Sequence, residues 1–232
     1  MSAVPTRFHI DVVSDVVCPW CFIGKHRLEA AIAEWRRSDP EATFTVDWHP
    51  FQLNPDLPPE GVDRRAYVEA KFGGPERAAA IYDRIRAAGR TAGIAFELDR
   101  IARQPNTLDA HRLVSWAQAR HDAGGLVEAL FRAYFLEGRY IGDRAVLAEI
   151  AGATGFDATA ARAMLDSDAL AAEMTAMDRR VRELGVTGVP YFILNDRIAV
   201  EGAQEPSTMV AAFAEALVAP TVDGQATADP AA

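Results

Sequence analysis

The chain is nearly free of cysteine, with two residues in 232, Cys18 and Cys21. A disulfide-stapled scaffold is therefore excluded, and since half of the residues are hydrophobic, the chain can fold around an ordinary buried core. Basic charge is also short: Lys plus Arg number 24 against 33 Asp plus Glu. The resulting net charge of −9 argues against a general attraction to nucleic acid or anionic membrane. No apolar run reaches the length of a membrane span, and no internal repeat is visible. The opening Met1–Arg7 is short and polar, and His9, Asp11 and Asp15 break the apolar stretch behind it, so no secretory leader is expected. These absences predict a cytoplasmic protein, in a compartment where thiols rest reduced and disulfides are transient and catalytic.

What is present centres on Cys18-Pro19-Trp20-Cys21, entered from an apolar stretch that begins at Phe8. A strand running into Cys-x-x-Cys and then into a helical pattern is a thioredoxin-type redox signature. Positions i and i+3 at a helix start share a face, so the two sulfurs can approach bonding distance.

Phe8, Ile10 and Val12 alternate through a strand expected over 8–14. Cys18 is then the N-cap of a helix with Pro19 at its first position, where the missing N–H costs nothing. Leu28, Ile32 and Trp35 follow on one face of that helix. Phe44, Val46 and Trp48 mark a second strand over 43–51, parallel to the first because a helix separates them. From 63 to about 184 no strand is expected, and helices are read over 64–72, 75–92, 107–121, 126–137, 143–154 and 157–165. Leu170, Met174, Met177, Val181 and Leu184 define a further amphipathic helix over 169–184, closed by Gly185. A hairpin follows, with strands 191–194 and 198–201 around Asn195-Asp196, and a last helix begins at Pro206. This order predicts an α/β protein, a thioredoxin fold with an all-helical domain inserted between its two halves. The expected divisions are 1–62 and 169–219 for the fold, 63–168 for the insertion and 220–232 for a disordered tail.

A cysteine attacks as thiolate, and a helix N-terminus supplies partial positive charge and free N–H groups where Cys18 lies. Cys18 is accordingly assigned as nucleophile and Cys21 as the resolving thiol that attacks the mixed disulfide. Two other readings fit a cysteine pair: a purely structural pair, or a zinc half-site with His26. The second lacks a further Cys or His pair at zinc-like spacing, so no metal is expected. Val189-Pro190 leads into the third strand, where a proline is otherwise awkward, and a cis bond explains it. Lying against the motif, the Val189 backbone could pair with an extended substrate.

The stretches "SDVVCPWCFIGKHRLE", "HPFQLNPDLP", "FRAYFLEGRYIGD" and "GVTGVPYFILNDRIAVEGAQ" resemble the FrnE-type branch of the DsbA family of thioredoxin-fold oxidoreductases, across roughly 8–217. The resemblance implies an inserted helical domain, Cys18 and Cys21 as redox pair, Pro190 as cis-proline, and thiol- or disulfide-containing proteins or small molecules as partners. It also implies an alternative, because 2-hydroxychromene-2-carboxylate isomerases and kappa-class glutathione transferases share the fold and bind glutathione in the same groove. Those relatives usually carry serine at the position of Cys18 and lack the second cysteine, so this chain is expected to do dithiol chemistry. No cofactor is expected beyond glutathione as redox partner or co-substrate. The chain departs from the branch in lacking the further C-terminal cysteine pair that some members carry.

Trp20 brings an apolar ring and no charge between the cysteines, which predicts a less extreme oxidant than a histidine there would give. Pro19 and Trp20 are expected to contribute to substrate binding together with Val189, Pro190, Asn54 and His111. Asn54 before Pro55 is also ordinary turn chemistry, and His111 also suits a structurally bonded histidine. Asp15 could relay a proton from Cys21 or sit in a surface turn. Trp20, Phe22, Phe51 and Tyr191 are candidates for an apolar groove, whereas Phe131, Tyr134 and Phe135 are assigned to packing.

Overall fold

A computed structural model describes residues 5–220, so most of the expected disordered tail lies outside the described residues. The sheet runs, strand beside strand, through residues 43–50, 7–14, 191–194 and 198–201. β1 (Arg7–Ser14) is central, with β2 (Thr43–Pro50) parallel on one side and β5 (Tyr191–Leu194) antiparallel on the other. β6 (Ile198–Glu201) completes the hairpin with β5 through Asn195 and Asp196, both at positive φ as such a turn requires.

Alternation along β1 decides the layers. Phe8, Ile10 and Val12 face one side and are all buried. There they meet α1 (Pro19–Ser38) and α9 (Pro206–Val218), and the Phe8 ring stacks on Phe44 at 4.7 Å and meets Trp35 edge-on at 5.1 Å. The opposite face carries a smaller apolar group of Val13, Phe51 and Val186.

Between β2 and the closing half lie α2 (Arg64–Phe72), α3 (Pro75–Thr91), α4 (Leu108–Gln118), α5 (Gly124–Phe135), α6 (Arg144–Ala153) and α7 (Ala158–Asp166). One detail differs from expectation: β3 (Val62–Asp63) and β4 (Arg103–Gln104) form a two-residue antiparallel pair, too short to show a period in sequence. α5 also starts two residues early because the Asp122 carboxylate accepts the Gly124 N–H at 2.9 Å, which holds a glycine pair in helix. The insertion shares the core of the thioredoxin part: Phe22 of α1 stacks on Phe131 of α5 at 5.0 Å and meets Phe96 edge-on at 5.8 Å.

α8 (Ala171–Glu183) departs most from its sequence pattern. It begins two residues late because Leu170 sits at φ +64 and stops helical propagation on its N-terminal side. Of the apolar stripe only Met174 is fully buried, and Leu184 is 72% exposed. The second buried residue is Asp178, which accepts the Gln52 N–H at 2.7 Å and pairs with Arg182 at 2.9 Å. Docking here is polar because α8 meets the strand-end loop after β2, whose backbone N–H needs an acceptor. Gly185 follows the helix at φ +91, in the position expected of it.

Arg112 is the most demanding residue of the helical block. It is buried, pairs with Asp109, and donates to the carbonyls of Met164, Leu165, Ser167 and Ala169, closing the C-terminal end of α7. Arg112→Met should lower unfolding free energy by about 3 kcal/mol, since it leaves several buried carbonyls without their donor while Asp109 keeps only Arg144. Urea denaturation followed by circular dichroism checks this, and an unchanged midpoint contradicts it.

Candidate active site

The motif sits where β1 ends and α1 begins. Cys18 is the N-cap with extended backbone (φ −92, ψ 113), and Pro19 occupies the first helical turn. Cys18 uses no side-chain cap; its carbonyl accepts the Cys21 and Phe22 N–H groups at 3.0 and 3.3 Å. This turn brings the two cysteines within 3.4 Å of each other, both free and both buried. That separation is well beyond an S–S bond of about 2.05 Å, so the pair is a dithiol.

The Cys18 thiol donates to the Val189 carbonyl at 3.6 Å, and the Val189-Pro190 peptide is cis. The loop expected to face the motif therefore touches Cys18 directly. An open pocket of about 300 Å³ lies on that loop, lined by Thr187, Val189, Pro190, Tyr191 and Glu201. Trp20 is 40% exposed, an uncommon state for so large an apolar ring.

Cys21 differs from its neighbour. Burial pushes its thiol well above the ordinary range, and the hydrogen bond and charge of Cys18 push the same way, against smaller opposing effects of Ser14 and the Asp15 backbone. It is held as a neutral thiol until something takes its proton.

Asp15 is fully buried, which removes the surface-turn reading. Its carboxylate accepts the Leu53 N–H at 2.8 Å and approaches His111 Nε2 at 3.5 Å, a charge contact longer than a formed hydrogen bond. His111 comes from α4 of the insertion and is itself buried, with its Nε2 toward Asp15 behind the motif. Ser14 Oγ, Trp48 Nε1 and His111 Nε2 are all buried without a hydrogen-bond partner. Ser14, Trp48 and His111 line one pocket of about 100 Å³ together with the apolar Val16, Val114 and Met174.

The other candidates separate. The Asn54 side chain accepts from Tyr67 Oη at 2.6 Å and its carbonyl accepts the Leu57 N–H, so it is engaged in the turn and with α2. Phe22 and Phe51 are buried and contribute no groove surface: Phe22 lies in the aromatic stack and Phe51 under the Arg182 guanidinium at 4.0 Å. Phe131, Tyr134 and Phe135 are fully buried packing residues. His26 does not join the cysteines; Nδ1 faces the Ala92 carbonyl at 3.0 Å and Nε2 the Glu128 carboxylate at 3.2 Å. Two facing acceptors are best met by a ring carrying both N–H donors. The Glu128 hydrogen bond raises His26 accordingly, and although burial works the other way on Glu128, its bonds from His26 and Lys25 hold it down to about 2.

Gly24 belongs to the site and escaped the sequence reading. A Cβ there would lie 2.8 Å from Pro190 Cγ and 3.2 Å from Phe192 Cζ, so the bare backbone is what lets α1 lie against the proline loop. The available signal was a glycine inside a helix, which costs about 1 kcal/mol against alanine and so calls for a packing reason.

The model of the DSBA-like thioredoxin domain matches residues 9–214. The chain is 32% identical to the probable DsbA oxidoreductase SCO1869 of Streptomyces coelicolor, covers 90% of both chains and superposes with a TM-score of 0.80. It is 27% identical over 191 residues to the uncharacterised protein YwbO of Bacillus subtilis, covering 82% of this chain and 88% of that one. The fold is also that of the cytosolic disulfide reductase DsbM of Pseudomonas aeruginosa with GSH, at 20% identity, coverage of 90% and 95%, and a TM-score of 0.57. Among the described residues no helix is long and apolar enough to cross a membrane.

Two outcomes follow from this geometry. In a Cys18→Ser variant, Cys21 should resist iodoacetamide at pH 7–8 and become labelled only as pH climbs well past about 8.5, the ordinary thiol value, because a raised value leaves little thiolate below it; mass spectrometry reads this, and full labelling at pH 7 contradicts it. Gly24→Val should lower stability by about 2 kcal/mol by overpacking the loop contact, and a denaturation midpoint equal to the parent's contradicts it.

Proposed function

The chain belongs to the DSBA-like thioredoxin domain family, and from that premise we propose that it is a thiol–disulfide oxidoreductase working through Cys18 and Cys21. The observation that carries this is the pair of free sulfurs at a helix N-terminus, 3.4 Å apart, with one thiol on the Val189 carbonyl. The Cys18 thiolate attacks one sulfur of a substrate disulfide, forming a mixed disulfide and releasing the first substrate thiolate. Cys21 then gives up its proton and attacks the Cys18 sulfur, which releases the second substrate thiolate and leaves a Cys18–Cys21 disulfide. Two electrons have passed to the substrate, and the same steps reversed oxidise a dithiol.

The high proton affinity of Cys21 makes the second step depend on a base. Asp15, buried beside the motif with Ser14 and His111 at hand, is our assignment for the group that drives the proton away. Substrate enters along the Val189-Pro190 loop and the exposed Trp20, whose size and apolar character suit an extended peptide. When substrate binds, the Val189 carbonyl exchanges the Cys18 thiol for a substrate N–H. Pro190 keeps a backbone donor away from the sulfurs.

Glutathione is our proposed small-molecule partner, in a cytoplasmic setting where the pair rests reduced. The glutathione-bearing disulfide reductase that shares the fold supports this choice. The isomerase alternative shares this fold, and the presence of both cysteines, each free, is what favours dithiol chemistry over it.

Cys18→Ser should reduce insulin-reduction and dithiol-oxidation rates to the uncatalysed background, whereas Cys21→Ser should accumulate a mixed disulfide with glutathione visible by intact mass. Full activity in Cys18→Ser sinks the proposal.

A further inference from the structure

Two groups of side chains bring three potential metal-ligand atoms together among the described residues, and neither includes a cysteine. In the first, His26, Glu29 and Glu128 surround Lys25, whose ammonium lies 2.5 Å from Glu29 and 2.8 Å from Glu128. A resident cation already occupies the centre of that group. The second, His9, Asp11 and Asp47, is built differently.

His9 and Asp11 point from the same face of β1, two residues apart, and Asp47 lies directly opposite Asp11 on the parallel β2. Like charges opposite one another in a ladder destabilise it unless something neutralises them. Among the described residues neither carboxylate is paired with a lysine or arginine; their ion-pair partners are His9 and His49.

His9 Nε2 lies 3.4 Å from Asp11 Oδ2 and 3.6 Å from Asp47 Oδ2. A tetrahedral ion with ligand bonds of about 2.1 Å places its ligand atoms about 3.4 Å apart. The three ligand atoms lie within 4.8 Å of one another, so a small closure completes the triangle. The other Asp11 oxygen, Oδ1, accepts from His49 Nε2 at 2.6 Å, which turns Oδ2 toward His9. This is the arrangement by which an outer partner orients a metal-binding carboxylate. His9 is anchored at its backbone: its N–H donates to Asn195 Oδ1 at 2.8 Å and its carbonyl accepts the Asn195 N–H at 2.8 Å. The side chains of His9 and Asp47 are 42% and 35% exposed, leaving room for an ion and a water to enter.

We propose that His9 Nε2, Asp11 Oδ2 and Asp47 Oδ2 form a binding site for a divalent first-row transition-metal ion of the Zn²⁺ class, on the sheet face and independent of the cysteine pair. One imidazole and two carboxylates neutralise a 2+ charge and leave one position for water. The imidazole and the low ligand count favour such an ion over Mg²⁺ or Ca²⁺, which demand six or more oxygens. Bound there, the ion ties β1 to β2 at its most repulsive pair.

The test uses the full-length chain carrying Cys18→Ser and Cys21→Ser, so that thiolates cannot contribute. Titration with Zn²⁺ against a chromophoric chelator should show one equivalent bound, and Zn²⁺ should raise the melting temperature where Mg²⁺ at the same concentration does not. Adding His9→Gln or Asp47→Asn should abolish the equivalent, and adding His49→Ala should weaken it by about 10-fold or more. No bound equivalent in the parent, or an affinity unchanged by His9→Gln and Asp47→Asn in protein whose circular dichroism matches the parent's, overturns the proposal.

Discussion

The close approach of α1 to the Val189-Pro190 loop is the constraint on which the rest of the structure depends. It joins segments far apart in the chain, and it holds because three local features coincide. Cys18 caps the start of the helix, Gly24 has no side chain to keep Pro190 away, and Val189 turns its carbonyl to the Cys18 thiol. Remove the contact and the cysteines remain a helical i, i+3 pair, but the surface that would present a substrate to them is lost.

The helical insertion builds the underside of this arrangement. Phe22, next to Cys21, is locked in the aromatic stack of α5, and His26 and Lys25 share Glu128 of the same helix. α4 sends His111 to Asp15 behind the motif. These contacts bury Cys21 and Asp15, and burial is what makes the Cys21 thiol hold its proton. The insertion thus sets the chemistry of the second cysteine as well as flanking the first.

The sheet makes two unlike faces from one alternation. Phe8, Ile10 and Val12 go to a dry core, while His9, Asp11 and their β2 neighbours remain partly open to solvent. Because the strands are parallel and in register, residues separated by a whole helix in sequence become direct neighbours. The same pairing that buries Trp48 beside Val12 sets Asp47 against Asp11.

Much of this was readable from the chain. The close approach of the two cysteines, the helix start at Pro19, the hairpin at Asn195-Asp196 and the order of elements all rest on local signals: spacing, a fixed proline φ, turn residues and hydrophobic period. The roles of Asp15, His111 and Gly24, and the polar docking of α8 through Asp178, rest on what lies opposite each residue. No pattern in sequence reports that, because whether a carboxylate is a surface turn or a buried base depends on the removal of water by segments far along the chain. The sequence by itself determined that two thiols stand together at a helix N-terminus; the tertiary structure alone decided which of them is held neutral, because desolvation is a property of the packed neighbours.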